Sequence, residues 1–162
     1  MSANGKEMVK DAIYEACINL DENQWNDWLG QCDKDFEYSV KAYSPEISKD
    51  MTYLYLNRDE LQEYFDLLPK HNTDNSPLRR HASVYSVDVE EGGKTASAVT
   101  SFLITQEMFD GINAPLDTGE NHLFVVGKYL DKFNIENGKA VFTERETRIF
   151  TRRLDKGSHW VF

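Results

Sequence analysis

The sequence predicts an α+β fold of the cone type, with N-terminal helices packed in a curved antiparallel sheet. Three observations predict it. The apolar period is helical at the start of the chain and becomes an alternation after Asp33. The second half reads as a meander of four long strands whose turns carry a Gly-Gly and an Asn-Gly pair. No internal repeat or low-complexity tract interrupts the 162 residues, so 1–162 reads as a single domain. Strands of this length must twist and coil, and the leading helices then fill the concave face, giving a cone with a pocket inside.

Residues 6–20 place Met8, Val9, Ala12, Ile13, Ala16, Cys17 and Leu20 on one helical face. In "ENQWNDWLGQC", Trp25, Trp28, Leu29 and Cys32 recur at helical spacing, so a short second helix follows. "FEYSVKAY" alternates Phe36, Tyr38 and Val40 against Glu37, Ser39 and Lys41, the pattern of a half-buried strand, and "MTYLYL" is a second strand. Asn57 can cap the helix "RDELQEYFDLLP", whose stripe is Leu61, Tyr64, Phe65 and Leu68, with Pro69 as its stop. "KHNTDNSP" has loop composition. The meander begins at Leu78, with Tyr85, Val87 and Val89 expected on one face, and turns at "EEGGK". A strand over about 95–106, an irregular insertion over 107–121 and the strand "HLFVVGKYLDKFNIE" come next. After the "ENGK" turn, the last strand runs over about 140–154, with Val141 and Ile149 expected on one face and Phe142 and Phe150 on the other.

The formal net charge is -10, which argues against nucleic-acid binding, where phosphate contacts need clustered Lys and Arg. "MSANGKEMVKD" lacks the apolar core of a signal peptide, and no apolar run reaches the roughly 18 residues of a membrane span. The cytoplasm is the expected compartment, with Cys17 and Cys32 reduced and buried.

No motif for nucleotide binding or nucleophilic catalysis is present: no GxGxxG after a strand, no GxxxxGK and no GxSxG. His71, His81, His122 and His159 show no HxxxH or HxH spacing, and two cysteines are too few for a zinc site or a Rieske cluster. Pocket chemistry remains open. An acid such as Asp33, Asp27 or Asp35 could face His81 or His122 inside the cone and move a proton next to a carbonyl. In the ordinary alternative these aspartates cap helix ends and the histidines are structural. The arginines pose a second question. Arg79 and Arg80 open a strand, and Arg145, Arg148, Arg152 and Arg153 lie along the last one, with Arg148 and Arg152 on one face and Arg145 and Arg153 on the other. They read either as cross-strand salt bridges or as a subunit interface, where Arg and aromatic residues are enriched. The apolar stretch Trp160, Val161, Phe162 must in turn be buried, in its own core or against a partner.

"SPLRRHASVYSVDV", "FVVGKYLDKF", "FTERETRIFTRRLDKGSHWVF" and the early "DENQWNDWLGQCDKDFEY" together resemble the small (β) subunits of Rieske-type ring-hydroxylating oxygenases. The likeness spans roughly residues 6–162, with its segments in the family's order. In Leu78-Arg79-Arg80-His81 one Arg is shifted against the family's Arg-x-Arg-His, and Lys128 and Lys132 stand where Arg is frequent. The resemblance implies an NTF2-like, scytalone dehydratase-like cone fold and a structural, non-catalytic role beside a large catalytic α subunit, in a hetero-hexamer of three α and three β subunits. It also implies that the Rieske [2Fe-2S] cluster and the mononuclear iron sit in that partner, with none in this chain, and that a reductase and a ferredoxin supply electrons from NADH. Expected at the subunit interface are Arg79, Arg80, His81, Arg148, Arg152, Arg153, His159, Trp160 and Phe162. The alternative function is a stand-alone lyase or isomerase built on Asp33, His81 and His122.

Overall fold

The structure is a computed structural model that describes residues 2–71, 76–108, 119–151 and 161–162. Its elements follow the expected order: α1 (Ser2–Asp21), α2 (Trp25–Gly30), β1 (Cys32–Ser44), β2 (Lys49–Asn57), α3 (Arg58–His71), β3 (Leu78–Val89), β4 (Thr95–Glu107), β5 (Asn121–Glu136) and β6 (Lys139–Ile149). The strands form a 6-stranded sheet in the order β2-β1-β6-β5-β4-β3. Neighbours are antiparallel except β1 and β6, which pair in parallel. The expectation of a wholly antiparallel sheet is corrected at that seam. β6, the last strand, lies along the edge of the β1–β2 hairpin, a pairing between distant segments that local pattern does not encode.

α1 and α2 lie on the inner face of the sheet. Val9, Ile13, Ala16 and Leu20 of α1 and Trp28 and Leu29 of α2 join one core with Phe36, Tyr38, Phe102, Tyr129, Phe133 and Phe142 of the strands. α3 adds Leu61, Phe65 and Leu68, with the Trp25 ring stacked on Phe65 at 5.5 Å. The Asn57 cap forms as expected and is reciprocal. Its Oδ1 accepts from the Glu60 backbone N–H at 2.9 Å, and Glu60 Oε2 accepts from the Asn57 N–H at 2.8 Å. Pro69 does not stop α3, which runs on to His71. A proline so near the helix end costs one backbone bond, and its fixed φ is helix-compatible.

The β5–β6 turn has Asn137 at φ 51° and Gly138 at φ 74°, the left-handed pair a two-residue hairpin needs. Between β4 and β5, residues 109–118 lie outside the described residues. The base of that connection is closed by Met108 N–H to the Glu120 carbonyl at 2.9 Å and Gly119 N–H to the Met108 carbonyl at 2.8 Å.

Two bulges correct the expected faces. Tyr85 has no opposite residue on β4, so it is 73% exposed while Val87 is buried. Thr143 has no opposite residue on β5, because Phe133 pairs with Phe142 and Lys132 with Glu144. The extra residue reverses the alternation, so Phe142 and Ile149 both point inward, and Phe150 is exposed. The segment expected to extend this strand to residue 154 lies outside the described residues beyond Thr151.

Gly127 sits on the inner face opposite Phe102. A Cβ there would fall on the carbonyl oxygen of Arg148 and lie 2.9 Å from Phe102 Cζ. Gly127→Ala should therefore lower stability by about 1–3 kcal/mol, the usual range for an overpacked core. Urea unfolding checks this, and an unchanged midpoint would show that β5 and β6 can part at no cost.

Candidate functional site

Side chains fill the centre of the cone. Ala98, Asp131, Arg145 and Tyr38 form one transverse row on the inner face, each the cross-strand neighbour of the next. Arg145 Nε donates to Asp131 Oδ1 at 2.8 Å and Nη2 donates to Oδ2 at 2.9 Å, a two-point bond between fully buried groups. The guanidinium lies 3.9 Å from the Tyr129 ring centroid, 5.0 Å from Phe142 and 5.9 Å from Trp28. Phe102 stacks on Tyr129 at 4.2 Å, so the phenol ring is held between an aromatic ring and a cation. Removing one partner of such a pair leaves a buried charge alone, at a cost of about 3–5 kcal/mol.

A second interior bond set closes the wide end. Asp21, the last residue of α1, accepts from the Arg80 backbone N–H at 3.0 Å and from its Nη1 at 2.8 Å. Arg80 Nη2 donates to the Val161 carbonyl at 2.7 Å. The Phe162 N–H donates to Tyr38 Oη at 3.0 Å, and the Phe162 ring lies 6.0 Å from Phe124. Val161 and Phe162 are each 3% exposed. Arg80 and Phe162, expected at a subunit interface, lie inside the chain, where a guanidinium and an apolar side chain both find partners in the open end of the cone. The expected interface residues Arg152, Arg153, His159 and Trp160 lie outside the described residues.

The remaining expected residues are on the outside. Arg79 and His81 are exposed, and His81 Nε2 lies 3.1 Å from Thr105 Oγ1. Arg148 bonds Asp50 and also Glu146 at 3.1 Å, and Lys41 Nζ reaches Glu146 at 2.8 Å, so one charge network ties β2, β1 and β6. The Arg148 hydrogen bond holds the Asp50 carboxyl below its usual range.

The acid–base alternative finds no geometry. Asp33 opens β1 and accepts from the Asp35 N–H at 3.0 Å. His81 is on β3, and β6, β5 and β4 stand between those strands. His122 is exposed on β5, 3.3 Å from Glu120 Oε2. The expected pairing of Asp33 with His81 or His122 is corrected: the sheet order holds them apart. Among the described residues no three His, Cys, Asp or Glu side chains converge as a metal site would require. Cys17 and Cys32 are free and buried, and burial pushes the Cys32 thiol up to about 12, which disfavours the thiolate a cluster needs. Among the described residues, then, the donors do not make up the ligand set of a Rieske cluster or a mononuclear iron.

Sequence reasoning missed the Arg145–Asp131 pair. The signal was the run Val125, Gly127, Tyr129, Asp131, Phe133, in which one carboxylate occupies an otherwise inward face.

Two outcomes follow from this interior. Phe162→Ala should cost about 3–5 kcal/mol of stability in the isolated chain, because a buried ring is lost. A native thermal midpoint would show that the tail is not core. The second outcome concerns alkaline pH. Burial raises Tyr64 to about 12, as it does Cys32, and raises Tyr38 and Tyr129 in the same direction. The unfolded thiol and phenols ionise near about 8.5 and 10, so the folded chain holds more protons above those values. This stability is complete below about pH 8.5 and is lost as pH rises towards 12. Urea midpoints between about pH 8 and 11 should fall steadily, and a flat profile would contradict the burial of these groups.

No family model matches the chain. It is 55% identical to the methanesulfonate monooxygenase hydroxylase β subunit of Methylosulfonomonas methylovora, over 94% of this chain and 84% of that one. It is 26% identical to the 2-aminobenzenesulfonate 2,3-dioxygenase β subunit of an Alcaligenes species, over 93% of this chain and 95% of that one. In structure it superposes on a Novosphingobium aromaticivorans protein assigned as an aromatic-ring-hydroxylating dioxygenase β subunit, with TM-score 0.76 and 20% identity over 94% of this chain and 93% of that one. A protein of the same organism assigned as a scytalone dehydratase gives TM-score 0.65 and 16% identity over 93% and 89%. These last two show the fold alone, the scytalone dehydratase-like, NTF2-like cone expected from the sequence. With more than half its residues shared along nearly its whole length, the chain belongs to the β subunits of ring-hydroxylating-type oxygenases, the small subunits of their hydroxylase components.

Proposed function

We propose that this chain is the structural, non-catalytic subunit of a hydroxylase that acts on methanesulfonate. The observation that carries the reading is the 55% identity over 94% of the chain to a relative named for that activity. A second relative, at 26%, is also named for a sulfonate. The Rieske [2Fe-2S] cluster and the mononuclear iron belong, in this reading, to the large α subunit, because the described donors of this chain do not fit either. Three large and three small subunits make the hexamer, and a reductase and a ferredoxin bring electrons from NADH. The compartment is the cytoplasm. No helix of the described residues is long and apolar enough to cross a membrane.

A structural role suits an interior packed around Arg145 and Asp131 rather than open to a substrate. The subunit then acts through its surface, by holding large subunits in one arrangement. The test is to purify the tagged chain from its native host. A coloured complex should elute that holds a second, iron-bearing subunit and oxidises NADH in response to methanesulfonate when supplied with the two electron carriers. The isolated chain should bind no stoichiometric iron. A colourless homo-oligomer that carries no second subunit would overturn the reading.

A further inference from the structure

The outer face of the sheet is not uniform. Cross-strand pairing sets its outward residues in transverse rows. Asp88, Ser97, Lys132, Glu144 and Glu37 form one polar row, Ser86, Val99, Leu130 and Glu146 a mixed one, and Ser83, Ser101, Lys128, Arg148 and Lys41 a further polar one. The next row is different: His81, Leu103 and Val126 are successive partners, and the Phe150 N–H donates to the Val126 carbonyl at 2.8 Å, which adds Phe150 to the row. Beyond it lie Arg79, Thr105 and Leu123. Leu103 is 38% exposed, Phe150 61% and Leu123 64%. Contiguous apolar side chains on a convex sheet face are costly to leave in water and mark an interaction surface.

Charge says what kind of partner fits. Lys41, Lys132 and Arg148 on this face each have a carboxylate within bonding distance. Arg79 and Lys128, which flank the apolar row, have no ion pair among the described residues, in a chain whose net charge is -10. Unpaired cations in so acidic a chain are complementary to carboxylates on another surface. A two-fold contact of this patch with a second copy is disfavoured, since it sets Arg79 and Lys128 against their own kind.

We propose that the patch of His81, Leu103, Leu123, Val126 and Phe150, flanked by Arg79 and Lys128, docks the catalytic subunit through an apolar surface of that subunit bearing carboxylates. The inference rests on the reading that a catalytic partner exists, and it adds which face of this chain meets it. Apolar burial supplies the affinity, and the two cations set orientation and association rate.

The experiment measures the affinity of the purified chain for its catalytic subunit, at low and at raised salt, with the native mass and thermal midpoint of every isolated variant. Leu123→Ser with Phe150→Ser should weaken binding at least about tenfold, since the loss of two exposed apolar anchors exceeds about 1.4 kcal/mol. Both side chains are exposed in the monomer, so its thermal midpoint should hold. Arg79→Glu with Lys128→Glu should also weaken binding about tenfold and flatten its salt dependence. Ile18→Ser, at an exposed position on α1, should bind as the wild type does. Wild-type affinity in both double variants would overturn the assignment of this face. So would a drop in self-association of the isolated chain with unchanged affinity for the catalytic subunit, which would give the patch to a second copy. Failure of the wild-type chain itself to bind the large subunit is a separate result, and it would sink the proposed function.

Discussion

The buried pair of Arg145 and Asp131 is the constraint around which the rest of the chain is arranged. Two opposite charges taken out of water repay their desolvation only when geometry and surroundings are both controlled. Here the geometry is a cross-strand pair on adjacent strands, and the surroundings are the rings of Tyr129, Phe142 and Trp28. The bulge at Thr143 makes this possible. Phe142 points inward, so an unbroken alternation would carry Glu144, Glu146 and Arg148 into the core. One extra residue exchanges them for Arg145, Thr147 and Ile149. The displaced charges then form the outer network with Lys41, Asp50 and Lys132. A single local irregularity thus decides both what the interior is made of and what the outer face offers.

Much of the fold was legible because its signals are local. The switch of period at Asp33, the Asn57 cap and the Asn137-Gly138 turn each depend on a few neighbouring residues, and each appears where the sequence places it. The errors share a cause. The bulges at Tyr85 and Thr143 shift one strand against another, and the parallel seam of β1 and β6 joins segments about a hundred residues apart. Nothing in the composition of a strand states what will lie beside it. Pro69 is the exception, a local signal that was over-read: near a helix end it removes too little to stop the helix.

The site was legible in a different measure. Arg148 was rightly placed on the face opposite Arg145, yet the interior role of Arg145 was invisible while its partner, more than a turn of the chain away on β5, was unknown. Arg80 and Phe162 illustrate the same limit. Each looks like a surface contact residue by type, and each is consumed by a bond to a distant part of its own chain: Arg80 to Asp21 and Val161, Phe162 to Tyr38. Residue chemistry told that these groups need partners. Only the fold says whether the partner is internal.

The cone itself does not decide function. The same architecture serves a protein assigned as a dehydratase and another assigned as an oxygenase β subunit. What separates the two uses physically is where the cone spends its polar groups. A catalytic cone must leave an acid and a base facing a cavity, whereas here Asp33, His81 and His122 sit on separate strands or rims and the central positions are taken by a two-point ion pair under aromatic rings. Packing the centre in this way makes the sheet stiff and fixes the registers of β4, β5, β6 and β1 at once, since each contributes to the same row. A stiff sheet presents its outer residues in constant positions, and that is the property a subunit needs when its task is to hold another protein in place.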